Sequence, residues 1–272
     1  MSRAATDGLA TDGFRWRKPP FIANPVLRYG IWLLAAAYLV WAVSSIPIDP
    51  QRILAGFPRA AQIFGGAIPP DFARWELLLS GFLESIQIAL IATAVGVVLS
   101  VPLAILSARN VVPVPVYLVG RAVVITARSF HPVIVAIIFV KAVGFGALAG
   151  ILTLILYTIG FVSKLLAEAI EEIDWGQVEA MQAAGADYLK VLSYAVAPQV
   201  MPRQIGLALY QLDINLRAST VVGIVGAGGI GSTLMNAFGR YDYDYAFAIL
   251  IAIISLVFAT EIVSGRIRRG IS

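Results

Sequence analysis

"DWGQVEAMQAAGADYLKVLSYAVAP", residues 174–198, is a polar stretch enclosed by two apolar runs, each long enough to cross a bilayer. Its spacing reads as two short helices joined at a glycine. Asp174 and Gln177 have capping-box spacing, and Ile173 and Val178 fall where a hydrophobic staple would close, so a first helix is predicted from near Trp175. Gly185 follows Ala183 and Ala184, and glycine alone enters the left-handed conformation that ends a helix at no steric cost. Asp187 can cap a second helix carrying Tyr188, Leu189, Val191 and Leu192. Pro198 is expected to end that helix, because proline lacks an N–H and restricts Ala197 before it. The product is a helical hairpin that stands out of a bilayer.

Composition makes the membrane assignment separately. Hydrophobic residues are 59% and charged residues 13%, against roughly 45 to 50% and about 25% in soluble domains. The mean hydropathy is +0.85. Six stretches approach the roughly 20 residues that span the hydrocarbon as a helix: 30–47, 81–106, 115–142, 147–170, 200–226 and 243–264. They lack the two-residue alternation of barrel strands, so the chain reads as an all-α integral membrane protein with six transmembrane helices.

Lysine and arginine placement orients it. With the N-terminus inside, Arg3, Arg15, Arg17, Lys18, Arg28, Arg109, Arg121, Lys190, Arg203, Arg266, Arg268 and Arg269 are cytoplasmic, and Arg52, Arg59, Arg74, Lys141 and Arg240 lie outside. Twelve against five supports both termini in the cytoplasm of a multi-pass plasma (inner) membrane protein. The 174–198 hairpin then faces the cytoplasm. The formal charge of +4 and pI near 9.4 reflect this bias, so no nucleic-acid partner is implied.

Residues 1–29 read as a mobile cytoplasmic leader, rich in Gly, Ala, Thr and Asp with Pro19 and Pro20, and 30–272 as one transmembrane domain. The apolar stretch 30–46 exceeds a cleavable signal core of roughly 7 to 15 residues and is expected to be retained. Between the first two spans, Arg52, Ile53, Leu54, Phe57 and Phe64 suit an amphipathic segment on the outer interface.

Without cysteine and with His131 as the one histidine, the chain cannot build a thiolate zinc site, a disulfide framework or a Cys-His nucleophile pair. No catalytic residue, metal ligand or bound cofactor is assigned. Gly-Lys occurs nowhere, so the phosphate-binding loop is missing and the chain is not expected to hydrolyse ATP. "GAGGIG", residues 226–231, satisfies G-x-G-x-x-G, yet it ends a membrane run and meets Asp242 too early for a dinucleotide fingerprint. Glycines at this depth instead let helices approach or let the backbone break.

Intramembrane charges are costly, about 2.5 to 3.5 kcal/mol each on insertion scales, and need a partner or a task. Asp213 and Arg217 stand four apart on the fifth span, where a local ion pair is favoured over a substrate role. Arg128, Ser129, Phe130, His131 and Pro132 cluster in the third span, where Pro132 is expected to kink the helix, and His131 either faces the path or packs. Glu84, Ser85 and Gln87 read as an interfacial helix end, and Lys164 as a side chain that snorkels to the inner interface. Arg128 and Arg217 with helix N-termini would favour an anion.

The order Glu179, Ala180, Gly185, then Ala195 and Pro198, resembles the "EAA" coupling loop of bacterial ABC importer permeases. Met181 at the third position of the triplet, and Ala195 and Ala197 in place of larger aliphatics, depart from that pattern while staying apolar. "VGAGGIG" from Val225 is similar to an element of methionine- and phosphonate-type importer permeases, while the second span, the coupling loop, "GIVGAGGIGSTLMNAF" and the Arg-Ser-Phe-His-Pro cluster, with one residue more than the family's Arg-Ser-x-Pro, together resemble the phosphonate-type subfamily over nearly all of residues 75–270. The resemblance implies a methionine-importer-like permease core with Glu179, Ala180, Gly185 and Pro198 docking a separate ATPase. It places Arg128, Ser129, His131, Pro132, Val222, Gly226, Gly228 and Gly229 along the translocation path or its outer gate. It further implies a second permease copy forming a homodimer, two ATPase subunits that use ATP and Mg, an extracytoplasmic solute-binding protein, and import of a phosphonate or related phosphorus oxyanion. A methionine permease of the same layout is the nearest alternative. A secondary transporter would call for inverted repeats, and none is seen in the sequence. A membrane enzyme would call for clustered nucleophiles or metal ligands.

Overall fold

The computed structural model describes residues 24–46 and 49–271. Two compact units divide the chain after Arg59. The first carries α1 (Pro25–Ser45) and the start of α2 (Pro50–Gly66). α1 is capped by Asn24, whose side chain accepts from the Val26 N–H at 3.0 Å, and its 21 residues span about 32 Å. Most of the leader expected over 1–29 lies outside the described residues, and Pro25 to Tyr29 already form the first turns of α1.

The second unit contains α3 (Trp75–Leu106), α4 (Val114–Ser129), α5 (Pro132–Val143), α6 (Ala147–Glu171), α7 (Trp175–Ala183), α8 (Tyr188–Val191), α9 (Ala197–Ile224), α10 (Gly229–Gly239) and α11 (Tyr243–Ile271). Among the described residues every element is helical, and five helices are long and apolar enough to cross a membrane, or six if α4 and α5 count as one broken span. α3 begins six residues before the expected position and packs most extensively on α6. Its buried face carries Gly81, Ser85, Ala89, Ala92, Gly96, Ser100 and Ala104, a small-residue stripe at helical spacing. Such stripes replace the hydrophobic drive that is missing between helices in lipid. At Gly96 an added Cβ would come within 2.6 Å of Thr158 on α6, which shows how near the two backbones run.

A polar knot ties α3, α6 and α9. Asn215 Nδ2 donates to Thr93 Oγ1 and Thr158 Oγ1, each at 2.9 Å, and Gln211 Nε2 donates to Asn215 Oδ1 at 3.0 Å. Gln211 and Asn215 are fully buried. In hydrocarbon such groups have no other partner. Asp213 and Arg217 stand on another face of α9 and form the expected i,i+4 ion pair.

Two expectations fail in an informative way. The third span is not kinked but broken: α4 and α5 meet at 88°, with Phe130 and His131 extended between them. Pro132 starts a new helix at its first position, where a missing N–H is costless. Nor does Pro198 end the hairpin's second helix. α8 passes through a π-turn, Leu192–Val196, directly into α9, with the Ala197 N–H reaching back five residues to Leu192. Pro198 then lies within the first turn of α9, and the wider turn accommodates its ring and missing donor.

Candidate functional site

The hairpin follows the predicted chemistry at its tip. α7 ends in a Schellman turn: Gly185 has φ +77°, the Gly185 N–H donates to Gln182 O at 2.9 Å, and the Ala186 N–H donates to Met181 O at 3.1 Å. Asp187 accepts from the Lys190 N–H at 3.0 Å and caps α8. At the root the capping box is replaced. Asp174 accepts from the Gly176 N–H, but its own N–H donates to Gln199 Oε1 at 2.8 Å rather than to Gln177. Gln199 Nε2 returns bonds to Ala195 O at 2.7 Å and Asp174 O at 3.3 Å. One side chain from the first turn of α9 thus holds both strands of the root, a contact between residues 25 apart that local spacing could not reveal.

Val178, Val191, Ala195 and Val196 are buried with Ala104, Leu166 and Ile170, and Met181 packs against them, which seats the hairpin on α3 and α6. Glu172 pairs with Arg203, and Glu171 with Arg121 at 3.1 Å, just before the hairpin begins. Glu179, Ala180, Gly185 and Pro198 remain exposed, joined by Leu189 at 70% and Tyr194 at 71%. Glu179 has no ion-pair partner among the described residues. The arrangement is a braced hairpin with a mixed apolar and acidic outer face, suited to docking another macromolecule.

A second region forms where α4 breaks from α5. Arg128, Ser129, Phe130, His131 and Pro132 share a cavity of about 490 Å³ with Tyr157, Ile214, Val221 and Val222. His131 is the cap of α5: its Nδ1 accepts from the Val133 N–H at 3.3 Å, so the neutral ring carries its proton on Nε2. The positive end of α5 faces the same space. Arg128 has no carboxylate within ion-pair distance among the described residues. Arg217, expected beside it, lines neither this cavity nor the next, and its charge is met by Asp213.

The glycine-rich loop divides between two places. Val222 is on the Arg128 cavity, whereas Gly226 and Gly228 line another of about 560 Å³ with Glu84, Phe145, Ser232 and Asn236. Gly226 and Gly228 hold φ of +92° and +80°. At Gly228 an added Cβ would fall 2.7 Å from Ala147 N and 2.8 Å from Glu84 Oε1, so the loop lies directly against the start of α6. The Gly146 N–H donates to Gly226 O at 3.0 Å and stitches the two loops. Gly229 faces Ser85, whose hydroxyl accepts from the Ile230 N–H at 2.9 Å and caps α10 from α3. Ser85 is fully buried, so the interfacial reading does not hold for Ser85. Phe145, 84% exposed between two left-handed glycines, was not singled out from sequence, although "GFG" at 144–146 carries that signal.

Residues 100–272 match the family of binding-protein-dependent transport system inner membrane components. The chain is 40% identical over 255 residues to the phosphite transport system permease protein PtxC of Stutzerimonas stutzeri, covering 93% of this chain and 90% of that protein. It is 38% identical over 255 residues to the phosphate-import permease protein PhnE of Mycolicibacterium smegmatis, covering 92% of this chain but 48% of that longer protein. Its fold is similar to a chain of the MetNI methionine ABC transporter in inward-facing conformations, with a TM-score of 0.64 and 23% identity over 74% of this chain and 99% of that one.

Proposed function

Because this chain belongs to the family of inner-membrane components of binding-protein-dependent transport systems and is a permease subunit of an ABC importer, not itself an enzyme, we propose that its solute is a phosphorus oxyanion: phosphonate, phosphite or phosphate. The observation that carries the solute class is Arg128. It is a guanidinium with no carboxylate partner among the described residues, standing at a helix break beside the N-terminus of α5, the His131 donor and the Tyr157 hydroxyl. A doubly hydrogen-bonding cation with surrounding donors suits a tetrahedral oxyanion. The two relatives are named for phosphite and phosphate transport, which supports the same class.

Coupling is assigned to the 174–198 hairpin. Its exposed Glu179, Ala180 and Gly185, set on a braced root, would seat on a separate ATPase, which uses ATP and Mg. Two permease copies, two ATPase subunits and an extracytoplasmic binding protein complete the machine, with both termini of this chain in the cytoplasm. When the ATPases close, the paired hairpins move as levers and the cavities at Arg128 and Gly228 change access in alternation. Stimulated ATP hydrolysis tests this reading. The complex with its ATPase and binding protein, reconstituted in lipid, is expected to respond to phosphonate, phosphite or phosphate and not to methionine. Stimulation by methionine alone would overturn the solute, and failure of any ATPase to associate would overturn the coupling role.

A further inference from the structure

Arg128 and Ser129 belong to two cavities at once. The second, of about 410 Å³, is walled by Arg121, Val124, Ile125, Arg128 and Ser129 of α4 and by Lys164 of α6. Three of its six residues are cations and none is an acid. α4 crosses α6 at Gly160, where an added Cβ would come within 3.0 Å of Arg128 Cγ. Lys164 is one turn, about 6 Å, beyond that crossing toward the hairpin, and Arg121 is two turns, about 10 Å, along α4 in the same direction. Arg128, Lys164 and Arg121 therefore form a ladder of positive charge leading from the first cavity toward the hairpin end.

Arg121 is hydrogen-bonded to both oxygens of Glu171, at 3.1 and 3.2 Å, so of the two paired cations only Lys164 is held loosely. Lys164 Nζ is 3.5 Å from Glu168, and neither carboxylate lines the cavity. Arg121 Nε is buried without an acceptor among the described residues. Three cations bordering one space against two offset carboxylates make a wall unsuited to lipid tails and suited to a water-filled path for anions. Snorkelling explains the reach of Lys164, but not why Arg121 and Arg128 border the same space.

We infer that this second cavity is a transient oxyanion station, in which Lys164 receives the solute from Arg128 and Arg121 is the last cation before release. The inference rests on the importer reading above and deepens it. Glu168 supplies the release step. It holds the ammonium when the station is empty, is displaced when an oxyanion arrives, and recaptures Lys164 as the oxyanion leaves. The station is weak for that reason, and weak intermediate sites are what allow a solute to pass on.

The chain has no cysteine, so Ile125→Cys puts the sole thiol of this subunit in the second cavity. In the reconstituted complex with ATPase and binding protein, this thiol is labelled with methanethiosulfonates of equal size and opposite charge, followed by the mass of this subunit. The anionic reagent is expected to react about tenfold faster, with inorganic phosphite slowing it. Adding Lys164→Gln should reduce the preference to about twofold, and Lys164→Arg should keep it. Absence of labelling, equal rates, or an unchanged preference with Lys164→Gln overturns the station. In the cysteine-free protein, Lys164→Gln should lower phosphite uptake per ATP hydrolysed at least about fivefold, with Lys164→Arg restoring it, and unaltered uptake also overturns the station. An anionic preference that depends on Lys164, in a complex that imports no phosphite, phosphate or methylphosphonate, would support the station and refute the solute assignment.

Discussion

Replacing Gln199 with leucine removes three hydrogen bonds from the root of the hairpin while keeping most of the side-chain volume. The bonds differ in worth. Ala195 is 1% exposed, so the bond to its carbonyl contributes about 1 kcal/mol, whereas Asp174 is exposed and water can replace its two bonds at about 0.5 kcal/mol each. The sum is about 2 kcal/mol of local opening free energy, equivalent to roughly 30-fold faster amide exchange if opening is in rapid equilibrium. Hydrogen exchange on the assembled complex without nucleotide would read this in peptides covering α7. Peptides from the N-terminal half of α3 serve as the control, because that half lies outside the cluster that seats the hairpin and should keep its protection. Gln199→Glu retains the acceptor for the Asp174 N–H but loses the donor, so it should fall between wild type and leucine. Uptake per ATP hydrolysed should drop in the same order if root stiffness transmits motion. Protection of α7 unchanged within about threefold would refute the staple, and loss of protection throughout α3 would show general unfolding instead.

Other outcomes follow from single contacts. Glu179→Ala should leave membrane insertion and ATPase association intact while lowering uptake per ATP at least tenfold, and unchanged uptake would remove Glu179 from the docking face. Gly185→Val places a β-branched residue at φ +77°, at a cost of about 2 kcal/mol or more, and should reduce co-purification of the ATPase. Ser85→Ala strips the tertiary cap from the Ile230 N–H and should cost about 1 kcal/mol, seen as a lower melting temperature of the detergent-solubilised complex. Tyr188 donates its hydroxyl to Val111 O at 3.2 Å, and although half of the residue is exposed, partial desolvation of the phenol raises its pKa above the ordinary 10.0. The folded state therefore favours the neutral phenol. Its contribution is fully present below pH 10 and is lost as pH rises through the folded value. Tyr188→Phe should make hairpin protection less sensitive to alkali over that range.

The breaks in this fold lie where its function would use them. A helix interrupted at 88° leaves backbone groups that lipid cannot satisfy, so such a break is tolerated only against protein or a cavity. Here His131 caps one side of the interruption and the cavity occupies the other. The π-turn before Pro198 has the same character. It lets the hairpin's second helix and α9 run on as one, so a force on the hairpin, as proposed, would be delivered into the span that carries Val221 and Val222.

By itself the sequence determined the features that depend on local chemistry. Asp174 and Asp187 as caps and Gly185 as a left-handed stop act over a few residues, and the structure reproduces them. Proline marked its positions but not their outcome. Whether Pro132 kinks or breaks a span, and whether Pro198 ends a helix or rides in a π-turn, depends on what the surroundings offer the freed backbone groups. Long-range partners were also beyond local reading: Gln199 at Asp174, Ser85 at Ile230, Asn215 at Thr93 and Thr158, and Lys164 beside Arg128 each join residues far apart in the chain. In lipid, apolar surfaces match one another everywhere, so small residues and hydrogen bonds between helices set the packing, and those are decided only when the helices meet.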